Sequence, residues 1–437
     1  EVKLEKKRVD IYKFLVYAAE ENIPVVLAHP LYFYSRSQKI SMEYFEKFAI
    51  LFQRYEVMNG QRDYWQNLLT KEWVESLTPE LCESFARKHQ LNPMDYGVDI
   101  HKPKVMTGGS DDHMGIFAGE CGSYLHIPDL EERLKTSSKS ELALEALRKG
   151  DIAPYGTIYE YQKLNIALMD YFSQVTTKMD DPGLFRILFH RGSASDKLAC
   201  LTFSNFILEL QRHGKTEMFF KFIHNALTGK KLNKLYTWRI ARDYKFTIQH
   251  LEDISNSRRK SSKQFIKSTD KAIAELFTSL NHLIIKRIKK HFKGHGPEFS
   301  ISQLTTEEIA RQFEVPSHLR EMFSGKKASV SDNMVNFNLG KIFDDLSFPI
   351  LVSIVLAGSM IASTRLLCQN RNFLNDFSDY IGKHKHPKRA LWLSDTFFDK
   401  NGVSNTLQLT LAECQKNDLD IDFLICHPEG QSHDHLH

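Results

Sequence analysis

The sequence predicts an α/β protein with a mainly helical middle region, and three observations support that class. Short apolar runs alternate with amphipathic helical stretches up to about residue 141. Long helical stretches without strand-like runs follow to about residue 388, and a strand–helix–strand pattern occupies the remainder. We therefore predict three regions, 1–141, 142–388 and 389–437, of which the first and last contain parallel strands.

Three helices and three strands are predicted to alternate in the first region. Apolar spacing of three or four residues defines helices around Phe14 and Phe45, and a third helix starts with Thr78 as N-cap and Pro79 at its first position. The strands are the apolar runs at 25–28, 55–58 and 105–107. Such repeated units predict a parallel sheet or barrel with helices outside.

The middle region is predicted to contain long helices. An amphipathic helix over about 273–290 carries clustered Lys and Arg near its end, and a capping-box pattern starts another helix at 305 within a weak helix-turn-helix match at 305–320. The basic stretch at 258–260 is predicted to be a solvated linker. Residues 346–364 are nineteen uncharged residues, long enough to cross a bilayer, but Pro349 and five hydroxyl side chains favour a buried central helix.

Charge and cysteine content exclude several classes of protein. The chain has 58 Lys and Arg against 54 Asp and Glu, which is too balanced for a general nucleic-acid binder. The basic excess is local, since residues 251–300 contain eleven Lys or Arg against five Asp or Glu. Six cysteines lie far apart without a C-x-x-C pair, which indicates a reducing compartment. We expect a cytoplasmic protein with no nucleic-acid partner.

The strongest chemical motif follows the strand at 105–107. The pair Gly108–Gly109 allows a tight turn, and Asp111 with His113 then offers a hard oxygen and an imidazole nitrogen. This donor pair suits Zn, Mn or Fe. The alternative is a polar loop in which an Asp caps the following helix.

Polar side chains also follow the other two strands. His29 ends the first strand, while Glu56 and Asn59 end the second. Since parallel strands present their carboxyl ends at one edge, we expect these side chains to converge with Asp111 and His113. Glu56 and Asn59 then orient ligands or contact substrate. The alternative is that all three side chains only shape turns.

Together these motifs resemble the later motifs of the PHP (polymerase and histidinol phosphatase) superfamily of metal-dependent phosphoesterases. The segments that carry the resemblance are Ala28-His29-Pro30, Tyr55-Glu56-Val57-Met58-Asn59-Gly60 and Gly109-Ser110-Asp111-Asp112-His113. The resemblance implies a distorted seven-stranded, TIM-like β/α barrel with up to three divalent metal ions and a phosphoester substrate.

The resemblance also implies roles for particular residues. His29, Asp111 and His113 would be metal ligands, with Asp111 and His113 catalytic, and Glu56, Asn59 and Asp112 would act from a second layer or on substrate. The family's first two motifs precede the third, but residues 1–28 contain no histidine. We therefore expect a fragment of the barrel that holds at most one incomplete metal site.

A second resemblance lies in the last region. The segment 392–405 contains Asp395-Thr396-Phe397 and Asn401-Gly402-Val403-Ser404, and it resembles the first strand and loop of group 1 glycosyltransferases of the GT-B fold. The resemblance implies the first βαβ unit of a Rossmann-like domain, in which Asn401, Gly402, Val403 and Ser404 border the acceptor and donor-phosphate cleft. The whole transferase would use a nucleotide sugar and a sugar or lipid-linked acceptor. Since only some fifty residues are covered, we do not expect this chain to transfer sugar by itself.

Two functions are therefore predicted. The first is part of a phosphoesterase fused to a glycosyltransferase. The second is a non-catalytic barrel scaffold whose basic helical region binds a partner protein or a membrane, in the latter case the inner surface of the cytoplasmic membrane.

Overall fold

The computed structural model describes residues 6–7, 9–32, 40–157, 161–178, 214–232, 245–258, 260–292, 339–368, 370–383, 389–425 and 435–437. Within these residues the chain is mixed α/β and mainly helical, with small sheets. The predicted helix start at 305 and the helix-turn-helix match lie outside them. The described residues divide into two compact units, one within Glu1–Tyr32 and Lys47–Asn370 and the other within Phe33–Glu46 and Arg371–His437.

The first unit contains a parallel three-stranded sheet. Its strands are β1 (Val26–Leu27), β2 (Arg54–Asn59) and β3 (Val105–Gly109), in the spatial order β1-β2-β3. Val26 pairs with Arg54, and Arg54 pairs with Val105. The predicted strands and their parallel direction are confirmed. Within the described part of the chain the sheet stays open and no closed barrel forms.

Four helices precede β3, and the sequence predicted three of them; the helix at Tyr64–Glu75 was missed. They are α1 (Ile11–Glu20), α2 (Glu43–Leu51), α3 (Tyr64–Glu75) and α4 (Pro79–His89), followed by a 3₁₀ turn at Pro93–Tyr96. The Thr78 side chain accepts a hydrogen bond from the Leu81 backbone N–H, so the predicted N-cap of α4 is confirmed.

An antiparallel strand pair follows, and neither of its strands was predicted from the sequence pattern. Strand β4 (Cys121–Leu125) pairs with β5 (Ile152–Gly156), and between them lie α5 (Leu130–Arg133) and α6 (Lys139–Lys149). The prediction that strand-like runs vanish after residue 142 is therefore wrong. Strand β5 contains Pro154 and ends in a glycine, which hides it from a propensity pattern, and Pro is tolerated where only one neighbour needs pairing.

Beyond β5 the described residues of the middle region form helices, as predicted. Its long helices are α7 (Gln162–Lys178), α8 (Gly214–Leu227), α9 (Lys245–Ser257), α10 (Ser262–Phe292) and α11 (Leu339–Cys368). They share one core, whose most deeply buried members include Phe220, Leu251, Phe265, Leu280 and Val352. Each such side chain stabilises the fold by roughly 1.5–3 kcal/mol. The long amphipathic helix predicted over 273–290 is confirmed as part of α10.

Helix α11 covers the uncharged stretch, and it is buried on one face only. Val352, Val355 and Leu356 are at most 3% exposed and belong to the helical core, whereas Met360 and Ile361 are 64% and 67% exposed. Among the described residues, the segment Phe348–Ile381 is long and apolar enough to cross a membrane, and 28% of its most apolar window is buried. The same test is passed by core helices of soluble proteins.

The second unit contains the predicted strand–helix–strand element. Parallel strands β6 (Ala390–Ser394) and β7 (Ile421–Ile425) are joined by α13 (Gly402–Asn417), and Trp392 stacks on Phe423 at 5.6 Å between ring centroids. The preceding helix α12 (Arg371–Ile381) packs its Phe377 against Phe45 at 4.7 Å.

Candidate functional site

The candidate site lies at the carboxyl edge of the parallel sheet in the first unit. Because β1, β2 and β3 are neighbours and run in the same direction, the residues after each strand meet at this edge. Asn59 and Gly109 are register partners at the ends of β2 and β3. The predicted convergence of the three strand ends is therefore present in the backbone.

The Glu56 carboxylate ties these strand ends together. Its Oε2 accepts hydrogen bonds from the His29 backbone N–H and from Asn59 Nδ2, both at 2.9 Å. On the other side it packs against Gly109, where an added Cβ would overlap Glu56 Oε1. The second glycine of the pair thus leaves room for the Glu56 carboxylate.

The turn after β2 is fixed by two asparagines. Asn59 is 2% exposed, and its Oδ1 accepts a hydrogen bond from the Gln61 backbone N–H at 3.0 Å. Asn67 on α3 accepts from the Asn59 N–H at 2.8 Å and donates to the Asn59 carbonyl at 3.1 Å. Asn59 therefore shapes the turn as well as holding Glu56. Sequence reasoning missed Asn67, since its partner lies on a different element.

Asp111 is engaged by an arginine that the sequence did not single out. Arg62 Nη2 donates to Asp111 Oδ2 at 2.7 Å, and the guanidinium lies over the Tyr32 ring at 3.6 Å from the centroid. The His113 Nε2 lies 3.4 Å from Asp111 Oδ1, with 83% of the His113 side chain exposed. The His29 ring stands edge-on to Tyr32 at 5.6 Å. One carboxylate is thus shared between a guanidinium and an imidazole.

Two of the predicted ligands have an unusual backbone conformation. His29 has φ 30° and Asp111 has φ 49°, both in the left-handed region that L-residues rarely adopt. Helix boundaries account for the described non-glycine residues of this kind at Asn22, Gln90, Asp129 and Asp418, and His435 near the end of the chain is a further case away from a helix. Neither His29 nor Asp111 borders a helix, so the strain at the sheet edge has another cause.

The loop that carries Asp111 is anchored in the helical core. Asp112 accepts hydrogen bonds from the Met114 N–H at 2.9 Å and from the Phe117 N–H. Ile116 and Phe117 are each 2% exposed and belong to the core of the helical region. Asp112 therefore shapes this loop, and β4 rather than a helix follows it.

Charged side chains hold the end of the same loop. Glu120 accepts a hydrogen bond from Ser262 Oγ at 2.5 Å and pairs with Lys163 at 3.3 Å. Arg258 donates to the Ile116 carbonyl and lies over the Phe265 ring at 4.8 Å. The prediction of a solvated linker at 258–260 is wrong for Arg258, because its guanidinium reaches a backbone acceptor that no local pattern reveals.

The nearest thiol is chemically quiet. Cys121 Sγ lies 3.5 Å from the Met58 carbonyl, and burial, aided by the Glu56 carboxylate, raises its pKa to about 11. The thiol therefore stays protonated at neutral pH, which makes it a poor nucleophile.

The donor set can be compared with the needs of a metal ion. Asp111 and His113 are close enough to share one cation, and a carboxylate with an imidazole suits Zn, Mn or Fe. Across the described part of the chain, no three His, Cys, Asp or Glu side chains come together to hold a metal. The His29 side chain therefore does not join the pair in this structure.

The loop before α13 in the second unit is satisfied internally. Asn401 accepts a hydrogen bond from the Ser404 N–H at 2.8 Å as the N-cap of α13, and Ser404 Oγ donates to the Phe397 carbonyl at 2.6 Å. Ser404 is fully buried, whereas Gly402 and Val403 are exposed. Ser404 therefore packs the loop, and the exposed backbone belongs to Gly402 and Val403.

Comparisons with known protein families, curated proteins and solved structures find no match to this chain.

Proposed function

We propose that the carboxyl edge of β1, β2 and β3 is part of a metal-dependent phosphoesterase site of the PHP type. The observation that carries this proposal is the meeting of three separate polar motifs at one edge of a parallel sheet. In α/β barrels this edge is where catalytic groups are found. We also propose that the sheet belongs to a distorted β/α barrel.

Backbone strain supports the proposal. Left-handed conformations at His29 and Asp111 cost about 1–3 kcal/mol each and persist where the surroundings enforce them, often at functional sites. Glu56 enforces the conformation of His29 by accepting a hydrogen bond from its backbone N–H. The conformation of Asp111 is enforced by its contact with Arg62 and by the anchored loop that follows.

Asp111 and His113 would hold a divalent cation, since they are the donors that lie together. A bound cation lowers the pKa of a coordinated water and neutralises charge on the phosphoester. Other residues of the chain hold the sheet edge in position. Glu56 and Asn59 fix the strand ends, and the exposed His113 can approach either a ligand or a substrate.

The test is divalent-cation binding together with hydrolysis of bis(p-nitrophenyl) phosphate in Mn²⁺. We expect His113→Ala to lower both by at least about tenfold. Because the His113 side chain is 83% exposed, the loss should occur without unfolding. The matched control is His101→Ala, which removes an exposed histidine elsewhere. Unchanged Mn²⁺ binding in both His113→Ala and Asp111→Asn would contradict the proposal.

We propose further that β6, α13 and β7 form the first unit of a Rossmann-like domain of a GT-B glycosyltransferase. The parallel βαβ arrangement supports this fold assignment. Gly402 and Val403 are exposed residues at the start of α13, and the N-terminus of a helix is suited to a phosphate-bearing donor. A titration with nucleotide sugars, followed by backbone amide shifts of Gly402, tests it, and unaffected shifts would contradict it.

A second candidate function is peripheral binding to an anionic membrane. It is favoured by the exposed Met360 and Ile361 on α11, next to a face that is otherwise buried. Helix α10 contributes exposed lysines, Lys286 and Lys289, in its last part. Exposed apolar side chains and exposed lysines are two features by which proteins bind anionic lipid.

A further inference from the structure

Arg62 is a residue of the sheet edge that belongs to none of the motifs, and the proposed phosphoesterase function uses it only to hold Asp111. Its side chain is 10% exposed, and its guanidinium lies 2.7 Å from Asp111 Oδ2. Asp111, the carboxylate proposed to bind a metal cation, therefore already binds a positive charge of the protein itself, the Arg62 guanidinium.

A guanidinium in this position opposes a second cation on the same carboxylate. Arginine stays protonated at every physiological pH, so its charge cannot be relieved by losing a proton. At separations of a few ångströms two like charges repel strongly when water is largely excluded. The Asp111 side chain is 15% exposed, so water screens the repulsion poorly. Arg62 contacts Asp111 Oδ2, whereas His113 lies beside Oδ1. A divalent ion at Asp111 must therefore share the carboxylate with the guanidinium or displace it.

The hydrogen bonding of Arg62 is incomplete in its present position. Its Nε is buried and has no hydrogen-bond partner within the part of the chain that the structure describes. A buried donor without an acceptor costs about 1–3 kcal/mol. The contact with the Tyr32 ring, 3.6 Å from the centroid, does not depend on Asp111. Arg62 is therefore held in this position by the contact with Asp111 and by the Tyr32 ring, while one buried donor stays unsatisfied.

From these observations we infer that Arg62 is an internal cation that binds Asp111 Oδ2 and competes with a divalent ion for this carboxylate. The inference rests on the proposed metal site, because it assumes that Asp111 is a ligand. It assigns to Arg62 control over the metal affinity of the edge. In this role Arg62 is a positioning residue and does not contact the reacting phosphoester.

The experiment measures Mn²⁺ affinity from the electron paramagnetic resonance signal of free Mn²⁺. We expect Arg62→Gln, which keeps a polar side chain but removes the charge, to bind Mn²⁺ about tenfold more tightly or better. Arg62→Lys keeps the charge and should stay within about threefold of wild type. Asp111→Asn should lose binding, which identifies the carboxylate as the ligand.

Two results would overturn the inference. If wild type binds Mn²⁺ and Arg62→Gln binds it equally or more weakly, Arg62 is not a competitor and the proposed metal site stands. If neither protein binds Mn²⁺, both the inference and the metal site are rejected.

A second variant covers the case in which Arg62→Gln does not fold. Tyr32→Leu removes the aromatic face and leaves the pair between Arg62 and Asp111, so the guanidinium is held less firmly. Mn²⁺ should then bind about threefold more tightly. An unchanged or weaker affinity in Tyr32→Leu would overturn the inference.

Discussion

At the scale of single residues, the sheet edge depends on a position that has no side chain. Gly109 leaves room for the Glu56 carboxylate, which in turn holds the His29 N–H and the Asn59 amide. A larger residue would push the carboxylate away from both partners. The space around Gly108 is smaller still. An added Cβ there would overlap the backbone carbonyl of Gly122, which cannot rotate aside as a side chain can.

We therefore predict a rank order for three glycine-to-alanine variants. Gly109→Ala should lower the free energy of unfolding by about 1–3 kcal/mol through two weakened hydrogen bonds. Gly108→Ala should cost more, because backbone must move. Gly358→Ala is the control, since nothing lies near its Cβ and it sits inside α11, where Ala is preferred by about 1 kcal/mol. Urea unfolding measures all three, and equal stability of Gly109→Ala and wild type would show that Glu56 is not constrained.

Lys104 gives a prediction on pH. Burial lowers its pKa from 10.5 to about 8, although its Nζ donates to the Ala49 and Phe52 carbonyls at 2.7 and 3.0 Å. Between pH 8 and 10.5 the unfolded chain keeps this proton while the folded chain has lost it. The unfolded state then binds more protons, so the contribution of Lys104 to stability rises with pH across this window.

The measurement is urea unfolding of wild type and Lys104→Met at pH 7, 8, 9 and 10. The stability of wild type relative to the variant should increase above pH 8 by up to about 1 kcal/mol per pH unit. Lys102→Met is the control, because Lys102 is exposed and pairs only with Asp99 at 3.5 Å. A difference between wild type and Lys104→Met that stays constant with pH would show that burial does not shift this amine.

At the scale of elements, the loop after β3 joins the sheet edge to the helical core. Its start carries Asp111 and His113, while Ile116 and Phe117 lie within the core of the helices. The geometry of the candidate site is thus set partly by side chains of α9 and α10. Arg258 and Ser262 reinforce the connection through the Ile116 carbonyl and Glu120.

Phe117→Ala should therefore affect two properties together. We predict a loss of about 3–5 kcal/mol in unfolding free energy, because a large buried ring is replaced by a cavity. The Asp111 loop should also become more mobile, measured as faster amide hydrogen exchange at 112–117. Phe277→Ala is the control, because Phe277 lies on α10 and is 38% exposed. If Phe117→Ala lowers the stability but amide exchange at 112–117 stays slow, the order of the Asp111 loop does not depend on its packing in the core.

The sequence predicted those elements whose signals are local. Periodicity and turn residues were enough for the parallel strands, for α10 and for the Thr78 cap. Strand β5 was missed because its partner β4 lies about thirty residues away and its own pattern is weak. Local signals do not show which distant elements pair.

The same limit applies to the candidate site. Strand ends could be identified, so His29, Glu56 and Asp111 were found. Arg62 was missed because its contact with Asp111 joins residues 49 positions apart. The sequence signal that could have identified Arg62 is its position just after Asn59-Gly60, at the end of β2. Asp112 was predicted to act from a second layer or on substrate. Its carboxylate instead accepts hydrogen bonds from backbone N–H groups of its own loop.

At the scale of the whole molecule, the exposed apolar side chains of α11 remain to be explained. Burial of Val352 and Leu356 accounts for one face of the helix, and nothing in the described residues covers Met360 and Ile361. The net charge of the chain is only +4, so attraction to an anionic bilayer would have to come from a local basic segment. The end of α10 is such a segment.

We predict that the chain floats with vesicles that contain phosphatidylserine and not with phosphatidylcholine vesicles. Lys286→Glu combined with Lys289→Glu should reduce flotation at least about tenfold, since each basic residue near an anionic surface contributes about 1 kcal/mol. The matched control, Lys263→Glu with Lys267→Glu, makes the same charge change on exposed lysines in the first part of the same helix. An equal loss in both double variants would indicate attraction by net charge alone. Flotation that neither change affects would mean that the basic end of α10 is a solvated face and that the exposed apolar residues of α11 do not serve an anionic membrane.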